Sequence, residues 1–145
     1  MAKEFATAIN CIDGRAQKPV TEYMQKRFGV DYVDMITEPG PNKILSEGKN
    51  VNIIEFIREK VKVSVKKHNS QIIAVVAHYD CAGNPAHYGC AGNPAHYGCA
   101  GLHENEDLQK EHLRKAVNVI VSWGFPVKKI VALWLDENFK PSIIG

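Results

Sequence analysis

The stretch Ile72-Ile73-Ala74-Val75-Val76-Ala77-His78-Tyr79-Asp80-Cys81 decides how this chain is read. Its first six residues are apolar, rich in β-branched side chains and bounded by polar ones, which is the pattern of a buried strand. His78 and, three positions on, Cys81 stand where that strand ends and the chain turns away. In open α/β sheets the carboxyl ends of the strands are where ligands bind. Imidazole and thiolate are also the ligand types that zinc favours. A second strand-like run, Phe5-Ala6-Thr7-Ala8-Ile9, leads into Cys11-Ile12-Asp13-Gly14-Arg15. Two strand ends carrying Cys11 and His78-x-x-Cys81 predict a three-ligand metal site.

Working outward, strand one spans Glu4 to Asn10, and a loop runs from Cys11 to Lys18. Pro19 suits the first turn of a helix. Val20, Tyr23, Met24 and Phe28 recur at helical spacing until Gly29 ends it. Val30 to Ile36 reads as strand two. Thr37 to Asn42 reads as a rigid loop, because two prolines flank a glycine, with a short helical turn starting near Ile44 and Leu45. Asn52 followed by Glu55 has the form of a capping box. Ile53, Ile54, Ile57, Val61 and Val65 then give a helix an apolar stripe as far as His68-Asn69. Strand three covers Gln71 to Ala77. A helix from Glu104 to Trp123 carries Leu108, Leu113, Val117, Ile120 and Val121, with Gly124 as its stop and Pro126 leading to a last strand, Lys129 to Leu135. Strands alternating with helices predict a single α/β domain over residues 1–145, with a mostly parallel sheet and helices on both faces. Right-handed crossovers favour strand order 2-1-3-4, which sets Cys11 beside His78.

Composition narrows the function classes. The 145 residues suffice for a core without staples. A net charge of +2 with no basic block argues against nucleic acid. No apolar run reaches membrane-span length and no signal peptide opens the chain, so a cytoplasmic protein is expected. There the 4 cysteines read as metal ligands or reactive thiols rather than disulfides. Tyr23, Phe28, Trp123 and Trp134 are assigned to core or interface. His68, His103 and His112 lie in polar contexts and are assigned to solvent.

One segment breaks the α/β rhythm. Residues 78–86 read His-Tyr-Asp-Cys-Ala-Gly-Asn-Pro-Ala, residues 87–95 repeat them with Gly89 in place of Asp80, and a partial third copy follows at 96–101. A unit so short and rich in Gly, Asn and Pro builds no supersecondary element. It reads as a tandem insertion at about 82–101. Only His78 directly follows a run able to form a buried strand, so His78 and Cys81 are the assigned ligands. Cys90 or Cys99 remains an alternative to Cys81, and His87, Cys90, His96 and Cys99 offer the ligand types of a second site.

Cys11-x-Asp13-x-Arg15 with His78-x-x-Cys81, in that order and on strand ends of an α/β sheet, resembles the β-class carbonic anhydrases. The resemblance implies zinc on Cys11, His78 and Cys81, a catalytic dyad of Asp13 and Arg15, a homo-oligomer, and interconversion of carbon dioxide and bicarbonate. Two thiolates and one neutral imidazole balance Zn²⁺ and leave a fourth position for water, whose pKa can fall to about 7 on such an ion. The two thiolates should acidify it less than three imidazoles would, giving an alkaline optimum. The alternative fourth ligand is Asp13, in a closed site. The chain departs from the family at Gly14, where Ser or Ala is usual, in Thr37–Asn42, and in lacking long N-terminal helices. Two other readings stand beside this one: a zinc-binding homologue without turnover, and a cysteine-nucleophile enzyme using Cys11 activated by His78.

Overall fold

The computed structural model describes residues 2–81 and 106–145. The expectations for the repeated insertion, for His87, Cys90, His96, Cys99 and His103, and for a helix start at Glu104 lie outside the described residues. Among the described residues no helix is long and apolar enough to cross a membrane.

The elements run β1 (Phe5–Cys11), a 3₁₀ turn (Gly14–Ala16), α1 (Gln17–Phe28), β2 (Tyr32–Glu38), α2 (Pro41–Glu47), α3 (Val51–Lys67), β3 (Ile72–His78), α4 (Glu106–Ser122), β4 (Lys129–Leu135) and β5 (Pro141–Ile144). The sheet order is β2-β1-β3-β4-β5. The first four strands are parallel, as expected, and β5 adds an antiparallel edge, with Leu135 opposite Pro141 and Ala132 opposite Ile144. Four residues after a tight turn carry too short a pattern to be read as a strand, which is why the edge escapes sequence analysis.

Alternation along the central strands sorts side chains onto two faces. Ala6, Ala8, Ala74, Val76 and Leu133 pack against Val20 and Met24 of α1. Ile9, Ile73, Val75 and Trp134 pack on the other side against Leu45 of α2, Ile57, Val61 and Val65 of α3, and Leu113, Ala116 and Ile120 of α4. Val121, expected on the apolar stripe of α4, is instead exposed; the buried stripe steps through Ala116, a small residue that lets the helix approach the sheet.

Local chemistry explains the helix ends. Gly29 closes α1 at φ 70, its N–H donating to the Gln25 carbonyl at 3.0 Å. The cap of α3 is Asn50 rather than Asn52: the Asn50 side chain accepts the Ile53 N–H at 3.3 Å. The expected rigid loop at Thr37–Asn42 is shorter than the prolines suggested. Strand β2 runs to Glu38, and Pro41 sits at the first position of α2, where its missing N–H costs nothing. Asn42 anchors that helix to the sheet, donating to the Val76 carbonyl at 2.8 Å.

A buried polar string ties the end of α3 to the sheet. Thr7 Oγ1 lies 2.6 Å from Ser64 Oγ and donates to Ser70 Oγ at 2.8 Å. Ser64 donates to Asp34 Oδ2 at 2.7 Å, and His68 Nδ1 meets the same oxygen at 2.6 Å. His68 also stacks on Phe5 at 4.2 Å while its side chain stays exposed, so it is solvent-facing, as expected, and a structural partner as well.

Ile9 is fully buried at the centre of the sheet. Ile9→Ala should therefore lower unfolding free energy by about 2–5 kcal/mol in urea titrations. Lys62→Ala, at an exposed position of α3, should change it by no more than about 0.5 kcal/mol.

Candidate metal centre

Pairing of β1 with β3 brings Ile9 level with Val75, so the two strands reach the carboxyl edge together at Cys11 and His78. Strand parity places Cys11 on the face of Ile9, and His78 on the face of Ala74 and Val76. The two side chains approach each other over the rim. Cys81 returns to the rim through a turn in which Asp80 takes a left-handed conformation, φ 62. Asp tolerates that region better than most residues. Gly stands at the equivalent place in the later copies.

Cys11, His78 and Cys81 are all buried, and one ligand atom from each lies within 4.8 Å of the others. Two observations test whether this set suits a metal ion. The Cys11 and Cys81 sulfurs are 3.8 Å apart; a tetrahedral ion with metal–sulfur bonds of about 2.3 Å separates two sulfurs by about that distance. His78 Nδ1 donates to the Tyr79 carbonyl at 2.7 Å, which fixes the tautomer and leaves Nε2 as the acceptor. That Nε2 is buried and has no hydrogen-bond partner. An orphaned lone pair in a nearly sealed position beside two sulfurs is what a cation would satisfy. The donor set fits.

Electrostatics point the same way. The Cys11 thiol is held well below the usual thiol range, first by the hydrogen bond from Cys81, then by His78 and the backbone at Gly40 and Asp13, against the opposing effect of burial. Gly40 adopts φ 60 to make that approach. Asp13 is held below the usual carboxylate range chiefly by hydrogen bonds from the Arg15 side chain, and Arg15 is correspondingly raised, chiefly by Asp13.

Asp13 and Arg15 form a closed fork: Nε donates to Oδ1 at 3.0 Å and Nη2 to Oδ2 at 2.6 Å. Asp13 also caps the 3₁₀ turn by accepting the Arg15 backbone N–H at 2.9 Å. Its Oδ2 lies 4.0 Å from His78 Nε2, so the carboxylate borders the metal position.

Comparison with known proteins places this geometry. A family model described as "Putative carbonic anhydrase" matches residues 1–88 and 86–145. The chain belongs to the β-carbonic anhydrase family. The two matched spans meet within the repeated stretch. Among solved structures, the β-carbonic anhydrase CafA of Aspergillus fumigatus superposes with a TM-score of 0.56 at 11% identity, covering 98% of this chain and 75% of that one. At that identity the likeness concerns the fold. A chain from a structure described as one of two tetrameric β-carbonic anhydrases of Sordaria macrospora gives a TM-score of 0.49 at 12% identity, covering 99% of this chain and 81% of that one. No curated protein matches the chain.

Four supporting residues of this carbonic anhydrase family member were not singled out by motif. Asn10, fully buried, accepts the Cys11 N–H at 2.9 Å and donates to the Ala16 carbonyl at 3.2 Å. Gln17 donates to the carbonyls of Cys11 at 2.7 Å and Asp13 at 2.8 Å. Asp80 accepts from Arg15 Nη1 at 3.3 Å. Phe139 lies under the Arg15 guanidinium. An Asn directly before a ligand Cys is a sequence signal for the first of these; Phe139 carries none, because a turn remote in sequence delivers it.

A carboxylate whose folded pKa is depressed contributes stability that is full above its unfolded value near pH 4 and is lost as pH falls through the folded value. Asp13 is such a group. Asp13→Asn should accordingly flatten the acid-unfolding profile below about pH 4 and leave its shape near neutrality unchanged, as followed by circular dichroism.

Proposed function

We propose that this chain is a zinc enzyme that interconverts carbon dioxide and bicarbonate, with Cys11, His78 and Cys81 as metal ligands and Asp13 with Arg15 as the catalytic pair. The observation that carries this reading is the buried, partnerless His78 Nε2 beside two sulfurs 3.8 Å apart, bordered by Asp13. Zinc is the favoured ion because thiolate and imidazole in a tetrahedral set suit it. When bound, it supplies a Lewis acid that brings the pKa of a water down toward about 7.

The remaining roles belong to the chain. Arg15 engages both Asp13 oxygens, so it fixes the orientation of the carboxylate at the border of the ligand set. Asp13, held ionised by that fork, accepts hydrogen bonds and donates none. A water beside it must direct an O–H toward Oδ2, which leaves a lone pair aimed away from the carboxylate and toward an incoming electrophile. Gln17 and Asn10 fix the backbone between Cys11 and Asp13, so the ligand and the acceptor move as one unit.

We extend the proposal to the whole chain as a single domain of this kind, in a reducing compartment such as the cytoplasm, where Cys11 and Cys81 stay thiols. We also read it as a homo-oligomer: β5 leaves a sheet edge, and Phe56 and Val63 expose apolar surface seven residues apart on α3.

Protein purified without added metal should carry about one zinc per chain, with Cys11→Ala carrying none, and should accelerate carbon dioxide hydration in stopped-flow assays, with an alkaline optimum. Asp13→Ala should keep its zinc and lose about a hundredfold or more in kcat/KM. Zinc without hydration leaves a binding homologue without turnover. Alkylation of Cys11 in metal-free native protein, with loss of an activity, favours the thiol nucleophile. Close to two zinc ions per chain brings His87, Cys90, His96 and Cys99 into play.

A further inference from the structure

The turn between β4 and β5 contributes a side chain to the metal centre that no motif announces. Asp136 builds this turn. Its Oδ1 accepts the backbone N–H groups of Asn138 and Lys140, each at 2.9 Å, and its own N–H donates to the Lys140 carbonyl at 3.2 Å. Phe139 N–H donates to the Asp136 carbonyl at 2.8 Å. Held by these bonds, Phe139 sits at φ 58, a left-handed conformation that bulky side chains seldom adopt. Backbone strain of this kind persists where surrounding structure over-determines it, and it clusters at functional sites.

The strained turn aims the ring at two groups of the centre. Arg15 Cζ lies 4.7 Å from the ring centroid, within the range of a cation–π contact. The His78 ring is 5.5 Å away, tilted by 34°. Arg15 is thus held from three sides: Asp13 at the edge of its fork, Asp80 at Nη1, and Phe139 on a face. Its side chain is half exposed with the ring in place.

We propose that Phe139 is a positioning residue of this centre, holding Arg15 against Asp13 and bracing the His78 ring from the same side. The proposal rests on the reading of Asp13 and Arg15 as the working pair. Its chemical content is that an aromatic face is required at this place: the quadrupole attracts the guanidinium, and a flat ring makes contact with both a planar cation and an imidazole. An aliphatic side chain of similar volume fills the space and supplies neither.

The test compares Phe139→Leu with Phe139→Tyr in the zinc-loaded full chain, with melting curves to establish folding. The Arg15 Nε–H signal in ¹⁵N NMR, assigned by its loss in Arg15→Lys, reports the clamp without any need for turnover. Phe139→Leu should remove the ring-current displacement of that signal and speed its exchange with water by about two- to fivefold. Phe139→Tyr should keep both near wild type, and both variants should keep their zinc. Where the wild type hydrates carbon dioxide, Phe139→Leu should lower kcat by a similar factor with KM little changed. Wild-type Arg15 behaviour in Phe139→Leu, or an equal loss in both variants, overturns the positioning role. Absence of hydration in the wild type counts against the proposed function alone, since the NMR comparison still decides the role of Phe139.

Discussion

The parallel ladder between β1 and β3 sets the distances at the rim of this sheet. Its register brings Ile9 level with Val75, and the sequence allots two more residues to Cys11 and three to His78. A one-residue slip would turn every side chain of β1 to the opposite face, burying Thr7 and Cys11 against α1 and exposing the wrong set to α3. That slip is opposed from both sides. Small Ala6 and Ala8 accommodate α1, while Ile9 fills the space under α3. The Thr7–Ser64–Asp34 string pins the same strand by hydrogen bonds that a shifted register would leave unmade.

Charge at the rim follows from what that register assembles. A sulfur whose thiol is held below the usual range and a second sulfur stand at the rim, where Asp13 and Asp80 both pair with Arg15. Anionic groups at such depth are costly unless opposed. Arg15 answers the two carboxylates through its fork and its outer nitrogen. The two sulfurs and the His78 nitrogen belong to the three residues that could hold a metal ion. The supporting contacts of Asn10, Gln17 and Phe139 share a physical purpose: each removes a degree of freedom from a ligand, from the dyad, or from the backbone joining them.

Cys11, His78 and Cys81 come together with no contribution needed from the later copies of the motif. Asp80 distinguishes the first copy from the later ones, which carry Gly at the same place. Its carboxylate contacts Arg15. The first copy thus supplies Arg15 with a carboxylate at a place where the later copies have glycine in sequence.

Much of this protein was legible in its sequence because the determining features are local or periodic. The run Ile72–Ala77 is buried-strand chemistry in any context, the apolar stripes of α1 and α3 follow helical spacing, and Cys and His at strand ends carry their ligand chemistry with them. Strand order followed from handedness and short connections. Other features depend on what packing brings together from distant parts of the chain. Asn50 rather than Asn52 caps α3 because the helix start is fixed by how its stripe meets β1 and β2. The edge strand β5 is too short to carry a pattern and exists because β4 offers it a partner. Phe139 reaches Arg15 across more than a hundred residues of chain, through a strained turn that Asp136 holds. Sequence determined which groups are available for chemistry. Tertiary structure decided which lone pair is left unpaired, which cation faces which carboxylate, and which ring lies against that cation, because those are properties of distance and orientation rather than of order along a chain.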